Sequence, residues 1–98
     1  MSEPGGSEQS RETVTVRYWA GARAAAGTPE DSYDVTGDLT LAELVALVLE
    51  RHPGERMART VAVCSVLVGD RPVRSQDPET VRVEPGSVVE LLPPFAGG

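Results

Sequence analysis

The sequence predicts an α+β fold, a single mixed β-sheet with one face covered by one main α-helix. Three observations carry this prediction. Apolar and polar residues alternate strictly from Thr13 to Trp19, an apolar stripe of helical spacing runs from Leu39 to His52, and glycine marks turns at Gly69-Asp70 and Pro85-Gly86 in the valine-rich second half. A helix isolated between hairpins does not build a doubly wound sheet, so it must cover one face of a sheet that is largely antiparallel. With 98 residues, 40% of them from the set AVILMFWYC, the chain has material for one core and one domain.

Residues 1–12 contain no aliphatic or aromatic side chain after Met1 and are rich in Glu, Ser and Gly. Such a composition cannot offset its ordering entropy, and it predicts a disordered tail ahead of a domain at 13–98. Arg11 set against Glu3, Glu8 and Glu12 leaves −2 on the tail and −4 on the domain. In the first strand Val14, Val16 and Tyr18 face one way, and Thr13, Thr15, Arg17 and Trp19 face the other. Ala20 to Gly27 is alanine-rich and reads as a short helical turn, after which a second strand is expected near Ser32 to Thr36.

The main helix is the clearest local signal. Thr40 and Glu43 form a capping box, Leu39 and Leu44 occupy the staple positions, and Leu41, Leu44, Val45 and Val48 repeat at i, i+3, i+4 and i+7. His52 falls in the last turn, and Pro53-Gly54 stops the helix. Glu55 to Thr60 reads as irregular. The run from Val61 to Val68 reads as a strand, turned at Gly69-Asp70 into a short return strand, and the last strand spans Val88 to Leu92. The expected order is β-β-α-β-β-β, with the helix stripe and Val14, Val16, Val63, Val89 and Leu91 as core.

Composition removes several functions. The net charge is −6, and all nine cations are arginine. Without lysine there is no P-loop, no Schiff-base chemistry and no internal ε-amine to accept an acyl group. A sequence pI near 4.6 argues against nucleic acid as a partner. One cysteine and one histidine cannot make a disulfide framework or a four-ligand zinc site, so no metal is expected. The first residues carry neither a basic n-region nor an apolar h-region, which predicts no membrane span and places the chain in the cytoplasm.

Side-chain catalysis has little to work with. His52 reads as a structural residue beside a helix stop, Cys64 as a small core hydrophobe, and Glu30, Asp31 and Glu50 as solvated charge. What remains is the end of the sequence, Pro93-Pro94-Phe95-Ala96-Gly97-Gly98. The prolines cannot continue the last strand's ladder, and their fixed φ projects the following residues away from the sheet. Two residues without Cβ can thread a channel too narrow for any other, presenting the α-carboxylate of Gly98 at its bottom. That carboxylate is the candidate reactive group.

These features resemble the MoaD/ThiS family of sulfur carriers, closest to its molybdopterin synthase branch. The resemblance spans Thr13 to Gly98 and rests on the opening strand with Ala20-Gly21-Ala22-Arg23 and Gly27, the turn and strand at Pro85 to Val89, and the PP-x-x-GG ending. It implies a ubiquitin-like β-grasp fold and a carrier that is not an enzyme by itself. It further implies that an activating-enzyme-like adenylyltransferase (MoeB/ThiF-like) uses ATP to adenylate Gly98, and that a sulfurtransferase donor then makes a C-terminal thiocarboxylate. Sulfur would pass to a pterin precursor in the large subunit of molybdopterin synthase (MoaE-like), building molybdenum cofactor, with no cofactor bound by this chain. Phe95 stands where a smaller aliphatic residue is more usual, which leaves carriers for cysteine, thiolated tRNA or secondary metabolites as alternatives. A ubiquitin-like protein modifier and a β-grasp interaction module without covalent chemistry are the other readings.

Trp19 and Leu92 belong to the outward sets of the first and last strands, which the family's fold makes neighbours. With Phe95 they are expected to form an apolar partner-binding patch at the base of the tail.

Overall fold

The computed structural model describes residues 12–94, so Met1 to Arg11 of the expected tail and Phe95 to Gly98 lie outside the described residues. Strand β1 (Glu12–Tyr18) is followed by helix α1 (Ala20–Ala26), strands β2 (Glu30–Val35) and β3 (Leu39–Thr40), and helices α2 (Leu41–Arg51) and α3 (Glu55–Val63). Strands β4 (Ser65–Val68), β5 (Arg71–Pro72), β6 (Arg82–Val83) and β7 (Val88–Leu92) complete the order. Five strands form a mixed sheet in the order β2-β1-β7-β4-β5, with β1 and β7 parallel and the other pairs antiparallel. The expected α+β sheet is present, and a separate two-stranded ribbon, β3-β6, is added to it.

The alternation in β1 survives intact. Val14, Val16 and Tyr18 are buried and meet Val89 and Leu91 of β7 and Leu41, Leu44 and Val48 of α2 in one core. Glu12, counted with the tail from its composition, is the first residue of β1 and pairs with Val35. Helix α1 ends where Gly27 turns left-handed, φ 78, a conformation open to glycine at little cost, and its N–H reaches Arg23 O. The second strand starts two residues earlier than the sequence suggests.

Helix α2 forms as its capping box requires: the Glu43 N–H donates to Thr40 Oγ1 at 3.0 Å and the Thr40 N–H to Glu43 Oε1 at 2.9 Å. The next two free N–H groups are taken up from outside the helix. Leu41 donates to Val81 O at 2.8 Å and Ala42 to Pro78 O at 3.1 Å, so the segment before β6 caps the helix that covers the sheet.

Two expectations fail here. Glu55 to Val63 is a helix rather than an irregular stretch running into a strand, and strand β4 begins only at Ser65. Met57 and Val61, four residues apart, are the buried face of α3, which packs against α1. Val63 therefore leaves the core and is 61% exposed. Cys64 is half-buried at the helix end, its Sγ 3.2 Å from Thr60 O.

A buried Met57 and an exposed Val63 separate the helix from the strand in solution. Met57→Ala should cost about 2–5 kcal/mol, the usual range for emptying a core site. Val63→Thr should stay within about 0.5 kcal/mol, as surface changes do. Urea denaturation of both variants checks this, and a large loss in the second would mean that Val63 is packed after all.

Candidate functional site

On the sheet face opposite α2, alternation sets Arg17 of β1 beside Glu90 of β7 and brings Trp19, the residue after β1, level with Leu92, with Ser65 and Leu67 beyond them on β4. At the end where β7 leaves the sheet this face hollows into a groove of about 690 Å³. Trp19, Ala20 and Leu92 line one part of it, Leu67, Pro72 and Arg74 another, and Pro93 and Pro94 run along it. Trp19 is 40% exposed, and the Arg17 guanidinium lies 5.5 Å from its ring centroid in cation–π geometry. The chain thus leaves the sheet along an apolar hollow with its one tryptophan on the wall.

Two backbone positions at the groove are strained. Ala20 (φ 46) and Arg74 (φ 56) are the only non-glycine residues of positive φ among the described residues, and both are groove liners. Cys64 lines the groove as well. Burial pushes its thiol up to about 11, which keeps it protonated and a poor nucleophile at neutral pH.

A polar cluster secures the end of β1 from the core side. Tyr18 OH donates to Asp31 Oδ2 at 2.8 Å and lies 3.4 Å from Tyr33 OH; His52 Nε2, at the C-cap of α2, is 2.6 Å from the same Asp31 oxygen. The His52 ring meets the Tyr18 ring edge-on at 5.7 Å, and the Arg51 guanidinium stands 4.1 Å from the Tyr33 centroid and 3.5 Å from Asp31 Oδ1. Burial would raise the Asp31 pKa. The hydrogen bonds from His52 and Tyr18, with the charges of His52 and Arg51, outweigh it and hold the carboxyl below its ordinary value. Burial first, then the bonds to Tyr33 and Asp31, hold the Tyr18 hydroxyl far above the usual tyrosine range. Asp31 is thus no solvated charge, and His52 keeps the structural role expected of it.

Of the residues singled out in the sequence, Trp19, Leu92, Pro93 and Pro94 come together at the groove. Phe95, Ala96, Gly97 and Gly98 lie outside the described residues. Sequence reasoning missed Leu67, Pro72 and Arg74. Leu67 was within reach, since it shares the outward parity of Leu92 once β4 is paired with β7, but that pairing is non-local. Among the described residues no group of three or more His, Cys, Asp or Glu side chains could hold a metal, and no helix is long and apolar enough to cross a membrane.

The ThiS family matches residues 16–98. The molybdopterin synthase sulfur carrier subunit of Chlamydomonas reinhardtii is 27% identical over 85 residues, 87% of this chain and 98% of that protein. SAMP1 from Haloferax volcanii superposes with a TM-score of 0.72 at 20% identity, covering 88% of this chain and 99% of its own. So does a chain of the complex between subunits 1 and 2 of molybdopterin-converting factor from Helicobacter pylori, with a TM-score of 0.60 at 24% identity over 88% and 99%. These superpositions show the ubiquitin-like β-grasp fold.

The Asp31 cluster makes stability depend on pH with a definite sign. A carboxyl whose folded pKa is lowered contributes its full stability above the ordinary value of 3.8 and loses it as pH falls through the folded value. Asp31→Asn should therefore cost about 1–3 kcal/mol at neutral pH, where a charge-assisted bond is lost. The gap to the unaltered protein should close in acid, which urea titrations at several pH values would show; a gap independent of pH would refute the assignment.

Proposed function

Since the chain belongs to the ThiS family, we propose that it is a sulfur carrier whose Gly98 carboxylate is adenylated, converted to a thiocarboxylate and used to donate sulfur in molybdopterin synthesis. The observation that carries this reading is the route of the chain after β7. Leu92, Pro93 and Pro94 follow a groove walled by Trp19, and the four residues after them shrink to Gly97-Gly98.

The chemistry suits a terminal carboxylate. A carboxylate oxygen attacks the α-phosphorus of ATP on an activating-enzyme-like adenylyltransferase and expels pyrophosphate, giving an acyl-adenylate. The outer sulfur of a persulfide on the sulfurtransferase attacks the acyl carbon, the acyl–phosphate bond breaks and AMP leaves, giving an acyl disulfide; a thiol reductant then cleaves its S–S bond and releases the thiocarboxylate. The product is an anionic sulfur nucleophile at neutral pH. Within the large subunit of molybdopterin synthase that sulfur is transferred to the pterin precursor, and Gly98 returns to a carboxylate when water supplies the oxygen. Proton transfers in that step fall to the large subunit, because no carboxylate or histidine is among the described residues lining this chain's groove. The carrier is a co-substrate rather than an enzyme by itself.

A second reading uses the same terminus. The fold shared with an archaeal modifier such as SAMP1 supports conjugation of Gly98 to amines on other proteins. Without lysine this chain could not extend itself through lysine linkages.

Incubation with ATP, the adenylyltransferase and a sulfur donor should raise the intact mass by about 16 Da, oxygen exchanged for sulfur by acyl transfer. Deleting Gly98 should abolish the gain and leave the fold unchanged; a gain that survives the deletion would overturn the reading. Higher-mass protein adducts formed in lysate with ATP would favour the modifier instead. Trp19→Ala or Phe95→Ala should weaken binding to the large subunit by about 1–4 kcal/mol, the range of interface anchors, as measured by calorimetric titration.

A further inference from the structure

Every residue lining the groove at the chain's exit is apolar or uncharged except Arg74. Arg17, Arg51, Arg59 and Arg82 each stand within 3.6 Å of a carboxylate, whereas Arg23, Arg56, Arg71 and Arg74 have no ion pair among the described residues, and of these four only Arg74 lines the groove. Its backbone is left-handed at φ 56, where glycine would sit without strain and a residue with a Cβ does not. A long cation is thus kept where the backbone disfavours it, in a chain whose net charge is −6. Among the described residues no ion-pair partner accounts for it.

Resting on the carrier reading above, we infer that Arg74 is the specificity-determining contact of this groove, and that the surface seated there is a patch of the large subunit carrying one apolar side chain and one carboxylate. The apolar side chain fills the hollow between Trp19 and Leu67, and the carboxylate receives the guanidinium. Docking strips water from the Arg74 head group, so a partner without a carboxylate there leaves a desolvated, unpaired charge, and one with a cation is repelled. Guanidinium suits this place better than ammonium. Its planar fork takes a carboxylate through two parallel N–H···O bonds and tolerates an apolar neighbour on its face.

The chain has one tryptophan, so full-length protein labelled with 5-fluorotryptophan gives a single 19F resonance that reports on the groove wall. Titration with the large subunit should shift that resonance, and affinity should fall as salt is raised. Arg74→Glu should weaken binding by at least about tenfold, as expected for a like-charge contact. Arg74→Gly, which fits the left-handed backbone, should melt no lower than the unaltered protein yet bind more weakly, with the salt dependence flattened. Arg74→Gly binding as tightly as the unaltered protein would overturn the pairing, even if Arg74→Glu were weak. If the unaltered protein leaves the 19F resonance in place, the carrier reading of the groove falls and this inference with it; if it binds and both variants bind equally well, only the inference falls.

Discussion

The parallel pairing of the first strand with the last is the constraint on which the rest of the molecule depends. β1 and β7 are separated by most of the chain, yet Thr15 to Tyr18 run in register with Val88 to Leu91 at the centre of the sheet. One face of that pair carries Val14, Val16, Val89 and Leu91, which are almost wholly withdrawn from water and are the floor on which α2 sits. A slip of one residue would exchange these for Thr15, Arg17, Val88 and Glu90. Burying an arginine and a glutamate without dedicated partners costs several kcal/mol each, so the core itself enforces the register.

The same register shapes the opposite face. Once Tyr18 is level with Leu91, Trp19 comes level with Leu92, and the Trp19 N–H donates to Leu91 O at 3.2 Å. The tryptophan and the exit of the chain are therefore placed together by the central hydrogen-bond ladder rather than by a loop. From beneath, the Asp31 carboxylate ties the Tyr18 hydroxyl to the C-cap of α2 through His52, so the wall of the groove is braced to the helix that covers the other face. Groove and core share one backbone.

What was legible in the sequence was what local periodicity encodes. The alternation at Thr13 to Trp19 and the box at Thr40 and Glu43 each involve residues within four positions of one another, and both appear in the structure as read. Helix α3 was hidden for physical reasons. Its buried face has only Met57 and Val61, its N-cap Gly54 offers no side chain to signal a start, and the valines that follow favour an extended chain when read alone. Packing against α1 overrides that preference. Ribbon β3-β6 has two residues per strand, too short for any period to show. Asp31 carried a faint signal, because counting back in twos from the buried Val35 and Tyr33 places it on the core face. Its partners lie 13 and 21 residues away, beyond the reach of any local pattern.

On the carrier reading, an activated terminus would pose a problem on which this chain's side chains bear directly. An acyl-adenylate at Gly98 would react with any amine, thiolate or free imidazole it met, those of its own chain included. This chain has no lysine at all, so its nine cations are guanidiniums, which do not attack acyl carbons at neutral pH. Its single thiol borders the groove, yet burial holds it protonated and Thr60 O takes its hydrogen bond. Its single imidazole has Nε2 turned to Asp31 on the far side of the sheet. Of the three side-chain nucleophiles that could short-circuit transfer, lysine is missing, the thiol is protonated and the imidazole is engaged, while the groove keeps the apolar contacts a partner needs. The poverty of catalytic side chains is, on the carrier reading, what allows a reactive terminus to survive until a partner receives it.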